Sequence, residues 1–156
     1  MNEGTDGYRA HKKRVMSEAR TAGVTGYGLT QFSVRYLPNV IHENEHIQGL
    51  VYGRYREKNG PSLNEGLLVA TEFRVIFVDH KPGFTKTDEL GYHIVSGVEV
   101  STAIFSAITL HTRIGDYKLR FINKKCGHKF VEYVERRRIE GQESQEDLAP
   151  NDSSAS

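Results

Sequence analysis

The sequence predicts a mainly β fold: about seven short antiparallel strands in a strongly bent sheet, plugged by a C-terminal α-helix, with an extra helix at the N-terminus. Three observations predict it. The run from Gly66 to Asp79 is two apolar strands joined by a tight polar break at Thr71-Glu72. Short apolar segments separated by turn residues continue to Phe121. After Gly127 the apolar spacing changes from two to helical, with Phe130, Val131 and Val134 at i, i+1 and i+4.

The elements follow in order. Asp6 is placed to cap a helix from about Tyr8 to Ala22, and Gly23 to stop it in a left-handed conformation. The apolar stripe of this helix (Tyr8, Val15, Met16, Ala19) is thin, so it needs something to dock on. Residues 23–28 are glycine-rich and read as a hinge. Gln31 to Leu37 leads to Pro38, which suits the first turn of a short helix reaching about Glu45. Ile47 to Arg56 favours strand, and Lys58-Asn59-Gly60-Pro61 breaks it. The two apolar strands follow, then a turn at His80 to Gly83 and a strand from Phe84 to Tyr92. Val98 to Ala103 and Ile104 to Thr112 read as a pair. Tyr117 to Phe121 alternates, which directs Tyr117, Leu119 and Phe121 inward. His128 to Ile139 is the closing helix. Beyond Gly141 the chain is acidic and polar and reads as disordered. The expected organisation is a helical arm and hinge over 1–30, the β domain over 31–140 and a tail over 141–156.

Composition limits the function. A chain of 156 residues with eight Tyr and seven Phe builds one modest core. The single cysteine, Cys126, forms no internal disulfide, which fits a reducing compartment. No apolar stretch approaches the roughly 20 residues of a membrane span, and the polar start lacks a signal-peptide core. The expected setting is cytoplasmic.

Leu37-Pro38, Glu45-His46-Ile47, Gly53, the stretches Gly66 to Thr71 and Arg74 to Asp79, Tyr92, Ile108-Thr109-Leu110, Phe121 and Phe130 carry a family resemblance. In order and spacing they resemble the bacterial pleckstrin-homology-like domains of the YokE type, over about Leu37 to Arg138. The Thr-x-x-Arg hairpin is the most specific piece, with Glu72 where other members often have Asp or Asn. The resemblance implies a roll of two packed sheets closed by the C-terminal helix. It implies no catalytic residue and no cofactor, and it leaves function open.

Several groups are candidates for chemistry. His42-Glu43-Asn44-Glu45-His46 matches H-E-x-x-H, in which a helix presents two zinc ligands and a glutamate polarises a bound water. Pro38 and the strand at Ile47 leave that helix too short, so a zinc hydrolase at His42, Glu43 and His46 is the least favoured reading. Arg54, Arg56 and Lys58 alternate, which puts three cations on one face. Lipid-binding relatives in the wider superfamily hold anionic headgroups with basic residues at a comparable place. Arg74 is a fourth candidate contact, or a brace paired with Glu72, Asp79 or Glu99. Between Arg113 and Arg138 nine Lys/Arg face three acids, while Ile139 to Ser156 holds five acids and no base. Spread over a strand, a turn and a helix, these cations make nucleic acid a minor expectation. The reading reached is a non-catalytic module that assembles with itself or docks a protein or peptide through sheet edges. Peripheral attachment to anionic lipid through the basic face is the alternative.

Overall fold

A computed structural model describes residues 3–24, 30–56, 63–102 and 104–148. The helices are α1 (Glu3–Thr21), α2 (Thr30–Tyr36) and α3 (Lys124–Leu148). The strands are β1 (Ile47–Arg56), β2 (Leu63–Thr71), β3 (Arg74–Lys81), β4 (Phe84–Gly91), β5 (Val95–Ser101), β6 (Ala107–Thr112) and β7 (Gly115–Arg120). Short 3-10 turns at Leu37–Asn39 and Tyr92–Ile94 precede β1 and β5.

The strands form one antiparallel sheet in the order β4-β3-β2-β1-β7-β6-β5. The two packed sheets that the family resemblance implied are thus two halves of a continuous sheet. They meet at the β1–β7 junction, where among the described residues only Arg54 and Arg120 are in register, whereas β1 and β2 pair from Ile47–Thr71 to Arg56–Leu63. The physical cause sits at Gly53. A Cβ there would lie 2.6 Å from the Arg120 carbonyl oxygen and 3.1 Å from the Leu119 Cβ. Only glycine lets β7 cross β1 this closely.

Sheet periodicity builds two cores. Val51, Leu68, Ala70, Val75 and Phe77 point to the concave side, where they meet Leu90, Val98, Ile108, Leu110, Leu119 and, from α3, Phe130 and Val134. Phe130 and Val134 are fully buried, so α3 plugs the roll as expected. The alternate residues Leu50, Leu67, Val69, Ile76 and Val78 point to the convex side. There they are covered by Val15, Ala19 and Val24 of the α1 region and by Val34, Leu37 and Ile41. Burial on both faces explains why β2 and β3 read as unbroken apolar runs and not as alternating ones.

Besides the start of β6 at Ala107 and not at Ile104, and that of α3 at Lys124 and not at His128, the structure departs from the sequence expectations in five places. First, α1 begins at Glu3, ahead of the expected Asp6 cap, and it lies against its own sheet instead of extending as an arm. Its end is as expected. Gly23 has φ +105°, Val24 N–H bonds the Ala19 carbonyl and Gly23 N–H that of Arg20, the paired bonds of a Schellman stop. The expected hinge overlaps 25–29, outside the described residues. Second, Pro38 opens only the turn Leu37–Asn39, and residues 42–46 are not helical. Third, α2 takes the stretch read as a lead-in, and Ser33 is buried there, bonding both peptide groups of His80. Fourth, α3 runs to Leu148, through the first part of the segment expected to be disordered. Pairs one turn apart, Glu135–Arg138 and Arg137–Glu140, support its later turns. Fifth, Phe121 points out. Its φ of +61° ends the alternation of β7 and leaves the ring 52% exposed.

Candidate functional site

The buried polar centre of the protein lies at the β2–β3 turn. Thr71 Oγ1 accepts the N–H groups of Phe73 and Arg74, so the turn is capped from Thr71 and not from position 72. Its hydroxyl donates to Glu45 Oε2 at 2.8 Å. Arg74 then clamps the Glu45 carboxylate through Nε and Nη2, both at 2.9 Å, and pairs with Glu89 at 2.7 Å. Burial pushes the Glu45 carboxyl up, but hydrogen bonds from Arg74, the His42 N–H and Thr71 prevail and hold it at about 2. Arg74, 11% exposed, braces the fold with Glu45 and Glu89, not with Glu72, Asp79 or Glu99. Committed to this network, it offers little to a ligand.

The H-E-x-x-H segment is part of the same brace. Residues 42–46 form a turn, so His42 and His46 do not share a helical face. Glu45 is buried, and His46 Nδ1 lies 2.6 Å from Glu18 Oε1. Arg14 of α1 donates to the carbonyls of His42, Glu43 and Glu45 at 3.3, 3.1 and 2.9 Å. Glu72 accepts the His46 N–H. This geometry removes the zinc-hydrolase alternative at His42, Glu43 and His46: the residues lock α1 to the entry of β1. Among the described residues no group of three His, Cys, Asp or Glu is placed to hold a metal ion.

Two strand edges end the sheet. At β5 the Val98 N–H is taken by Glu135 Oε1 of α3 at 3.2 Å, and Arg138 holds that carboxylate at 2.7 Å. The β4 edge has no such cover among the described residues. The β3–β4 hairpin closes on Pro82-Gly83, with Lys81 opposite Phe84 and Gly83 at φ +80°. A two-residue loop makes that pair hydrogen-bonded, so Thr85, Thr87 and Glu89 direct their peptide groups away from β3. The charged side chains of β4 have partners within the chain: Asp88 accepts the Tyr117 hydroxyl, Lys86 lies over Phe77 and the exposed Glu89 pairs with Arg74.

The basic candidates divide. Arg54 and Arg56 are exposed on the convex face of β1, and Lys58 lies outside the described residues. Opposite Arg54 stand Arg120 of β7 on one side and Glu65 of β2 on the other. The register thus joins the first-strand cations to the 113–138 cluster, which the sequence left apart. Beside them lies an apolar group that sequence reasoning missed: Ile104, Phe105 and Phe121 are 85%, 58% and 52% exposed. Phe105 and Phe121 meet at 5.1 Å, and Arg54 lies 5.7 Å from the centre of the Phe121 ring. A signal existed in the adjacent Ile104-Phe105 pair, a pair of large apolar residues that the core does not take.

Comparison with known proteins agrees with the fold. The family model described as "Bacterial PH domain" matches residues 41–136, and the chain belongs to that family. The C-terminal domain of an unknown protein from Leishmania infantum is similar in structure, with a TM-score of 0.51 at 14% identity, over 72% of this chain and 99% of that one. A pleckstrin homology domain from Shewanella amazonensis is 16% identical over 72% of this chain and 99% of that one, with a TM-score of 0.46. A protein with a pleckstrin-homology domain from Shewanella loihica is 17% identical over 69% and 97%, with a TM-score of 0.43. No curated protein matches the chain. Membership of this family implies a non-catalytic binding module. Among the described residues no helix is long and apolar enough to cross a membrane.

Proposed function

We infer that this domain, read as one of the YokE type, is an assembly module that adds a strand along β4. The incoming strand comes from a second copy of the chain or from an extended segment of a protein partner. The observation that carries the reading is the asymmetry of the two edges. β5 is fastened by Glu135, whereas β4 presents the outward peptide groups of Thr85, Thr87 and Glu89 over a run of eight residues. Strand addition satisfies such groups at once and draws its affinity from the main chain.

The test is molar mass by light scattering after size exclusion, at micromolar concentrations of the full chain. The wild-type protein is expected to exceed monomer mass as concentration rises. Thr87→Pro removes one outward N–H without breaking a bond to β3, and it is expected to remain monomeric with an unchanged circular dichroism spectrum. Wild-type protein that stays monomeric throughout removes self-assembly. Association that survives Thr87→Pro moves the interface away from β4.

A further inference from the structure

We propose that the corner formed by Ile104, Phe105 and Phe121 is a docking site for the acidic C-terminal segment of a second copy of this chain. The occupant is the stretch 146–152: Leu148 and Pro150 cover the apolar side chains, and Glu146, Asp147 and Asp152 meet Arg54 and Arg120. The contact is separate from the β4 edge and does not depend on it.

Four observations carry this. The first is the corner itself. Ile104 is 85% exposed, and Phe105 packs on Phe121 at 5.1 Å. Phe121 stands there because its backbone, at φ +61°, turns the ring out of the core. Adjacent large apolar side chains at a loop tip mark a place that a partner covers. The second is charge. Arg54 and Arg120 stand opposite each other on neighbouring strands, like charges that an acidic partner relieves. Arg54 also lies 5.7 Å from the centre of the Phe121 ring, so cation and ring form one surface. Glu65, opposite Arg54 on β2, offsets part of that charge. The third is complementarity. From Ile139 onward the chain has five acids and no base, and after Ile139 Leu148 is its only large apolar residue. A leucine set between acids matches an apolar tip set between cations. The last turn of α3 holds no base to balance the negative end of the helix dipole, which a cationic surface stabilises. The fourth is reach. α3 begins three residues after Phe121, and its Gly127 lies against Ile122. From there it runs away along β1, with Phe130 beside Gly49 and Arg137 bonded to the Glu72 carbonyl. At about 1.5 Å per residue, Leu148 comes to lie roughly 36 Å from the start of the helix. Residues 149–156 span at most about 28 Å when extended. A chain therefore cannot lay Leu148 and Pro150 on its own corner, and a neighbouring copy supplies them. The segment lies beyond residues 41–136, so its docking is a feature of this chain and not of the family scaffold. One apolar anchor with exposed ion pairs binds weakly. Free copies do not populate the contact at micromolar protein; it forms at several hundred micromolar, or where another interface tethers the copies.

A fluorescein-labelled peptide of residues 142–156 is titrated with full-length Thr87→Pro protein, whose blocked β4 edge separates the outcome from strand addition. Expected is a saturable rise in anisotropy at low salt that is lost as salt is raised. Ile104→Ser with Phe105→Ser in the protein, or Leu148→Ser in the peptide, is expected to weaken binding about tenfold or more. Arg54→Glu with Arg120→Glu is expected to reject the native peptide and to bind one carrying Asp147→Lys and Asp152→Lys. The replaced side chains of the protein are exposed, and unchanged circular dichroism confirms that the variants fold. In sedimentation equilibrium at several hundred micromolar, Thr87→Pro protein is expected to exceed monomer mass, and adding Leu148→Ser to return it to monomer. No peptide binding at low salt overturns the proposal, as does binding that the Ile104/Phe105 and arginine variants leave intact. Displacement of the peptide by phosphatidylglycerol vesicles at lower concentration than by unlabelled peptide overturns it in favour of a bilayer.

Discussion

Arg74 holds the buried carboxylate of Glu45 with two parallel hydrogen bonds of 2.9 Å, Nε to Oε2 and Nη2 to Oε1. The pair ties β3 to the chain just before β1, two segments far apart in sequence. Arg74 Nη2 also donates to the Val40 carbonyl, so one side chain fixes the whole 40–45 turn. Arg74→Met leaves Glu45 charged and without its cation, held only by the Thr71 hydroxyl and the His42 N–H, in a site where it is 1% exposed. The expected loss is about 3–5 kcal/mol, measured by urea unfolding. Replacing both residues by apolar ones is expected to cost less than Arg74→Met alone, because no lone charge remains buried.

The same carboxylate sets an acid limit. Its folded value of about 2 lies below the ordinary carboxylate range, so deprotonation favours the folded state. The stabilisation is present in full above about pH 5 and is lost as pH falls toward 2; its upper size is on the order of 3 kcal/mol. Glu45→Gln should unfold more easily at pH 7 and show a flatter stability profile between these limits. A wild-type profile equally flat there contradicts the role given to Glu45.

Glycines at two positions should respond in opposite directions. Gly53→Ala drives a methyl against the Arg120 carbonyl at the β1–β7 crossing, and about 1–3 kcal/mol of destabilisation is expected. Gly141 lies within α3, and among the described residues no side chain and no other element comes within 4 Å of an added Cβ. Gly141→Ala should therefore raise stability by about 0.5–1 kcal/mol. Thermal melts of the two variants check both signs, and no gain at Gly141 argues against a helix continuing past Ile139.

Docking of α1 on the sheet is tested at Val15, which is fully buried beneath it. Val15→Asp places a charge among Leu50, Val69 and Ile76, and a loss of at least about 2 kcal/mol is expected. An unchanged melting temperature means that α1 does not contribute to the folded core.

Much of the scaffold was legible in the chain. The β2 and β3 runs, the second half of the expected His80–Gly83 turn (His80 and Lys81 belong to β3), the Gly23 stop and the Phe130–Val134 plug all express local rules of period and backbone freedom. The docking of α1 was missed because its stripe is thin. The clue lay elsewhere, in Leu67 to Ala70 and Val75 to Val78, which are too evenly apolar for a sheet wet on one face. Phe121 was misplaced because alternation holds only while the strand continues, and its backbone reverses at that residue. The extent of α3 was missed because acidic composition masks helix-supporting pairs such as Arg137–Glu140. The interaction surfaces were the least legible part. Which edge Glu135 covers, and that Arg54 faces Arg120, are consequences of strand order, which no local pattern encodes.

The difference between the two sheet edges is tested most directly by residue-resolved amide hydrogen exchange in dilute protein. Along β4 the amides of Thr85, Thr87 and Glu89 should exchange fast and those of Lys86 and Asp88 slowly, while Val98 on β5 is protected by its bond to Glu135. Uniform protection from Phe84 to Gly91 in the monomer, or a Val98 amide as fast as that of Thr87, contradicts the account.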